Sequence, residues 1–191
     1  IFLAEIPKNP HQSDPWKLIE IFSGETEGKL PYAEGMSAYD IDKDGVTDLL
    51  AVNYWFKHLG DGKFKAISLG TPGGLIFAGD LIEGGYPEII ISPGDASGPV
   101  KWYECQGNPT DSAYWTAHDL LGRDLIHGHS LQLGDIDRDG HLDIFVAEMA
   151  KWGRQAEPDN PKAAAYILYG DGKGTFEKTE FVVGHGWHEA R

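Results

Sequence analysis

Nine residues, Asp135-Ile136-Asp137-Arg138-Asp139-Gly140-His141-Leu142-Asp143, put carboxylates at positions 1, 3, 5 and 9 around a glycine at position 6. They run directly into the apolar stretch Ile144-Phe145-Val146-Ala147. Acids at that spacing, on a loop that glycine allows to fold back on itself, can surround one hard cation with oxygen. Calcium is the natural occupant, because it takes about 6 to 8 oxygens in a flexible geometry that magnesium tolerates poorly. In this reading Asp135, Asp137, Asp139 and Asp143 supply side-chain oxygens, the carbonyl of His141 another, and water the rest. The alternative is a solvated acidic turn between strands.

The pattern recurs. Asp40-Ile41-Asp42-Lys43-Asp44-Gly45-Val46-Thr47-Asp48 has the same acids and the same glycine, with Val46 where the other copy has His141, and it also leads into an apolar run, Leu49-Leu50-Ala51-Val52. Two copies in one chain argue against coincidence and for two Ca²⁺ sites, built on Asp40, Asp42, Asp44, Val46 and Asp48 and on Asp135, Asp137, Asp139, His141 and Asp143. An EF-hand also begins D-x-D-x-D-G, but it needs a glutamate at position 12 and a helix on each side. Position 12 is Ala51 or Val146 here, and the flanks alternate like strands.

Between the copies lies a third, Gly79-Asp80-Leu81-Ile82-Glu83-Gly84-Gly85-Tyr86-Pro87-Glu88, followed by Ile89-Ile90-Ile91. Asp80 and Glu88 keep positions 1 and 9, while Ile82 and Gly84 replace the acids at 3 and 5. Too few ligands remain, so no ion is expected there. The elements that carry these loops read as a repeat. Each copy has a short strand before the loop (Met36 to Tyr39, Ile76 to Gly79, Ser130 to Leu133), an apolar strand after it, and then two more strands. In the first and third copies Gly60-Asp61-Gly62 and Gly170-Asp171-Gly172 join those last two, which is a strong hairpin signal. The middle copy uses Val100 to Glu104 and Trp115 to Asp119, with Asn108-Pro109 in the connection.

Four antiparallel strands per repeat at roughly 40 to 55 residues describe a propeller blade. The expected fold is therefore all-β, a β-propeller of four-stranded antiparallel blades. The motif D-x-D-x-D-G-x-x-D-[LI] between the first two strands of a blade resembles the FG-GAP or VCBS repeat of integrin alpha subunits and many bacterial secreted proteins. That resemblance implies one Ca²⁺ in each intact repeat. The chain divides into a half-blade at 1–30, blades at 31–70, 71–121 and 122–183, and the start of another at 184–191. Ile1 to Glu5 and Trp16 to Phe22 read as the last two strands of the half-blade, and Gly186 to Arg191 as the first strand of the next. The partial ring is read as a fragment of a longer propeller in preference to a half-ring completed by a second copy.

Composition narrows the function. With 191 residues, 25 of them glycine, and a net charge of -14, the chain suits one globular unit rich in strands and turns. The charge argues against nucleic acid or an anionic membrane as a partner. A single cysteine, Cys105, excludes an internal disulfide framework. No apolar run approaches the roughly 20 residues of a membrane span. Calcium at extracellular levels would fill loops too weak for the cytosol, so a secreted or periplasmic setting is expected.

Histidines are the second feature that departs from the repeat. Ile126-His127-Gly128-His129-Ser130 leads into the third copy, and Gly184-His185-Gly186-Trp187-His188-Glu189 holds the corresponding place in the next, while the first copy has Tyr32, Glu34 and Met36 there. Strand starts from adjacent blades meet at one rim of a propeller channel. His127, His129 and His188 are accordingly acid and base candidates, and the alternative is that they are hydrogen-bonded structural residues. The third copy also carries an insertion, since 35 residues separate Asp135 from Gly170 where 20 separate Asp40 from Gly60. Within it Trp152 and Arg154 suit stacking on a sugar ring and pairing with a carboxylate. Trp152, Arg154 and His185 are thus ligand-binding candidates. Trp55, Trp102 and Trp115 fall in strands and read as core.

The segments from Trp102 to Trp115, His127 to Met149 and Trp187 to Arg191 resemble propellers of carbohydrate-active proteins such as aldos-2-ulose dehydratases and some polysaccharide lyases. That likeness implies proton abstraction by channel histidine and tyrosine. There is no G-x-S-x-G, P-loop or strand-to-helix G-x-G-x-x-G. Two functions remain: a calcium-binding module that recognises a saccharide or a protein, and a carbon-oxygen lyase acting on a saccharide.

Overall fold

In the computed structural model, which describes residues 1–11, 14–23, 35–71, 73–151, 159–188 and 190, the chain is all-β. The strands form four antiparallel sheets, and the only helical element among the described residues is a 3-10 turn at Ser112–Tyr114. The first sheet is the pair β1 (Phe2–Glu5) and β2 (Lys17–Glu20). The second contains β3 (Met36–Tyr39), β4 (Asp48–Ala51), β5 (Tyr54–His58) and β6 (Phe64–Ser68). The third contains β7 (Leu75–Gly79), β8 (Glu88–Ser92), β9 (Ser97–Cys105) and β10 (Trp115–Ile126). The fourth contains β11 (Ser130–Gly134), β12 (Asp143–Ala147), β13 (Ala164–Gly170) and β14 (Phe176–Val183). Within each four-stranded sheet the strands neighbour one another in chain order.

Period-two patterning explains why these runs are strands with two covered faces. On one side of β4, Leu50 joins Trp55, Ile41, Ile76 and Ile89 in the core between the second and third sheets. On the other, Ala51 and Phe56 meet Ile1, Ile21 and Phe22 at the edge of the first sheet. The third and fourth sheets enclose the largest cluster, in which Leu81, Ile90 and Trp102 meet Leu131, Ile144 and Leu168. β7 lies against β3 and β4 on one side and β11 on the other, so the first strands of the three larger sheets adjoin. Trp55 and Trp102 are buried core residues as expected, whereas Trp115 is half-buried and donates Nε1–H to the Pro109 carbonyl at 3.0 Å.

Two expectations change. β10 continues to Ile126 instead of ending at Asp119. Asp119 Oδ1 accepts the N–H groups of Leu121 and Gly122 at 2.9 and 2.7 Å, and Gly122 takes φ +68°, so the strand bulges there and Asp124 to Ile126 resume pairing with β9. The described residues of 186–191 do not form a strand. Trp187 N–H bonds the Glu148 carbonyl and Ala190 N–H bonds Ser130 Oγ, single contacts with two different elements and not a ladder. Gly186 is required there, because a Cβ would lie 1.9 Å from Ala150 N.

Candidate metal centre and histidine cluster

Strands flank both acidic loops, β3 and β4 around Asp40–Asp48 and β11 and β12 around Asp135–Asp143. Position 9 is buried in each and ties the loop shut. Asp48 accepts Ile41 N–H on Oδ2 at 3.3 Å and His58 N–H on Oδ1 at 2.7 Å. Asp143 repeats this with Ile136 and Gly170 at 2.7 and 2.9 Å. Position 1 holds the far side of the turn. Asp40 accepts from Asp44 and Gly45 at 3.1 and 2.9 Å, and Asp135 from Asp139 and Gly140 at 3.1 and 3.2 Å. Gly45 and Gly140 adopt φ +86° and +96°, where a side chain is strained, as the sequence requires of position 6.

The result is a converging set of carboxylates. Oxygens of Asp40, Asp42 and Asp48 lie within 4.8 Å of one another, and so do oxygens of Asp135, Asp137 and Asp143. Position 5 stands outside both groups. Asp44 and Asp139 each turn Oδ1 to the N–H two residues on, Val46 at 3.0 Å and His141 at 2.8 Å. Burial pushes the Asp48 carboxyl above the usual range despite its two amide partners. Each group of three carboxylates could hold one metal ion.

The eroded loop keeps the fastening without the cluster. Glu88 is buried and accepts both Leu81 N–H and Ile82 N–H on Oε2, at 2.8 and 3.0 Å. Desolvation pushes its carboxyl up to about 7. Other contacts surround this loop: Lys43 reaches Asp80 at 3.7 Å, Ile82 bridges Lys173, and Glu83 N–H bonds the Gly172 carbonyl at 2.9 Å.

Of the candidate histidines, the structure brings His129 and His188 together. Their rings stack at 4.4 Å and 15°, and His129, 5% exposed, places Nε2 3.1 Å from Asp95 Oδ1. His127 adopts φ +52°, and its Nδ1 lies 2.8 Å from the Asp95 carbonyl, so it holds the β8–β9 turn. His185 is exposed beside the Val183 carbonyl and does not share in the stack. Trp152 and Arg154, like Tyr32, Glu34, Glu189 and Arg191, lie outside the described residues. Asn160 cinches the base of that insertion with bonds to the carbonyls of Ala150 and Met149 at 3.0 and 3.2 Å.

Three groups were not legible as site residues. Asp95 stands in a Pro-Gly-Asp turn whose spacing gives no hint of the distant His129. Lys57 sits against Asp42 and Asp44. Arg123 bonds Glu148, Tyr166 and the Asp124 carbonyl beside a cavity of about 570 Å³. All five guanidinium N–H groups serve protein acceptors there, and Glu148, 1% exposed, also accepts Ile126 and Ala164 N–H. That network is a clamp between β10, the segment just after β12, and β13. No family model and no curated protein matches the chain. Among the described residues no helix is long and apolar enough to cross a membrane.

Proposed function

We propose that the chain is a calcium-binding segment of a β-propeller of the FG-GAP or VCBS type, serving recognition of a saccharide or a protein partner in an extracytoplasmic setting. The observation that carries this reading is the recurrence of one loop geometry. Corresponding connections of two sheets hold acids at positions 1, 3 and 9 in one cluster, pinned by the same backbone bonds. Three sheets with strands in chain order and adjoining first strands support the blade interpretation. Exposed Phe2 and Leu18 on the first sheet and Phe181 and Val183 on the last are apolar surface that further blades, or a second copy, would cover.

Calorimetric titration of the full chain tests the metal reading. Two calcium ions are expected, one lost on Asp40→Asn with Asp42→Asn and the other on Asp135→Asn with Asp137→Asn. No heat of binding in the parent would sink it.

One observation favours the lyase or dehydratase reading: His129, Asp95 and His188 converge, an arrangement suited to proton transfer. The near-complete burial of His129 weighs toward a fastening role, and recognition remains the preferred function. Turnover of saccharide substrates lost in His129→Ala and His188→Ala, with glycan binding kept, would reverse that preference.

A further inference from the structure

The two acidic loops share their carboxylates but differ in what the next strand presents to them. His58 and Gly170 are equivalent, because each donates its N–H to Oδ1 of the position 9 aspartate. The residue before each is therefore equivalent too, and it is Lys57 in one sheet and Tyr169 in the other. Lys57 Nζ donates to Asp42 and, at 2.6 Å, to Asp44 Oδ2. Its side chain is only 19% exposed. Lys43 within the loop turns instead to Asp80, so the ammonium meeting positions 3 and 5 comes from β5.

We propose that Lys57 is the built-in cation of the first acidic loop, holding its carboxylates together by itself and competing with calcium for Asp42. The competition rests on the calcium reading given above; the holding role does not. Ligand charge tunes the affinity of such loops. One positive charge set against four carboxylates in one loop, with no lysine at the matching place in the other, makes the pair unequal. A divalent ion must detach the ammonium from Asp42 to use that ligand. The Asp135–Asp143 loop therefore fills first, with affinity higher by about tenfold or more, the effect expected of one nearby unit charge in a partly screened site.

Lys57→Met keeps the length of the stem and removes the charge, Lys57→Arg keeps the charge, and Tyr169→Lys gives the second loop the same cation. In chelator, Lys57→Met melts several degrees below the parent and Lys57→Arg close to it. Equal melting of the parent and Lys57→Met overturns the holding role. In calcium titrations the parent shows two unequal sites, Lys57→Met brings them together, and Tyr169→Lys weakens the tighter one. Equal sites in the parent that neither variant changes overturn the competition while leaving calcium binding intact. Absence of binding at both loops overturns the calcium reading and the competition together, and the chelator melts still decide whether Lys57 holds the loop.

Discussion

The loops at Asp40–Asp48 and Asp135–Asp143 gather three carboxylates each, whereas the loop at Asp80–Glu88 has lost positions 3 and 5 and yet keeps its place between two strands. All three retain a buried acid at position 9 that accepts the N–H of position 2. That acid is thus part of the fold, whether or not positions 3 and 5 of the same turn carry acids. The loop without them makes contacts with neighbouring loops: Asp80 with Lys43, Ile82 with Lys173, and Glu83 with Gly172.

The largest expected difference concerns position 9 itself. Asp143 divides its two amide donors between its two oxygens, so Asn at this position must aim an NH₂ at one of them. Glu88 receives both donors on one oxygen, so Gln satisfies them without loss. Leaving one buried donor unpaired and facing a second donor costs about 3 kcal/mol. Asp143→Asn should lower stability by that amount in urea with an unchanged slope, while Glu88→Gln at pH 8 should match or exceed the parent. Equal losses for both would break the distinction.

Acid titration separates the loops next. The Glu88 carboxyl rises from 4.5 to about 7 through burial, so the folded state holds its proton more tightly than the unfolded chain. Its stabilising effect is complete below pH 4.5 and lost as pH rises through 7, amounting to about 3 kcal/mol. Unfolding measured at pH 5 and pH 8 should show this decline in the parent relative to Glu88→Gln. The same slope in both proteins would mean that Glu88 is solvated.

Calcium should act on the acidic loops alone. An ion bound only by the folded state at a hundredfold excess over Kd adds about 2.7 kcal/mol per site. For a chain of this size that is roughly 5 to 10 °C in Tm. The gain should shrink in Asp135→Asn with Asp137→Asn and persist in Glu88→Gln. Identical melts with chelator and with calcium would remove any structural role for the ion.

Much of this arrangement was legible because local chemistry encodes it. Alternation and Asp-Gly turns delimit β3 to β6 and β11 to β14 to within a residue or two, and the acid spacing delimits the loops. What escaped depends on pairing across the chain. The continuation of β10 past Asp119 shows only once β9 supplies Ser97 to Pro99 as partners. Position 5 satisfies the ligand pattern but turns to its own backbone. Asp95 meets His129 only because the β8–β9 turn packs beside the start of β11, and Lys57 acquires its role only once strand register sets it beside Asp42.

The smallest expected effect is a change that restores the motif without restoring the site. Ile82→Asp with Gly84→Asp returns acids to positions 3 and 5 of the eroded loop, so spacing alone would forecast a third calcium. The backbone argues otherwise. Both intact loops are left-handed at positions 4 and 6, at Lys43 and Gly45 and at Arg138 and Gly140, whereas the eroded loop is left-handed at positions 5 and 6, Gly84 and Gly85, with φ +93° and +56°. Asp at 84 would be strained and directed away from the place where Asp44 and Asp139 stand. Ile82 packs against the largest core cluster, and a Cβ on Gly174 would lie 3.1 Å from its Cδ1, so an acid there faces a crowded apolar wall instead of Asp80. Calcium stoichiometry measured by titration should stay at its parental value in the double variant, with the thermal gain from calcium unchanged. An additional site would mean that residue identity suffices and that the backbone follows the ion.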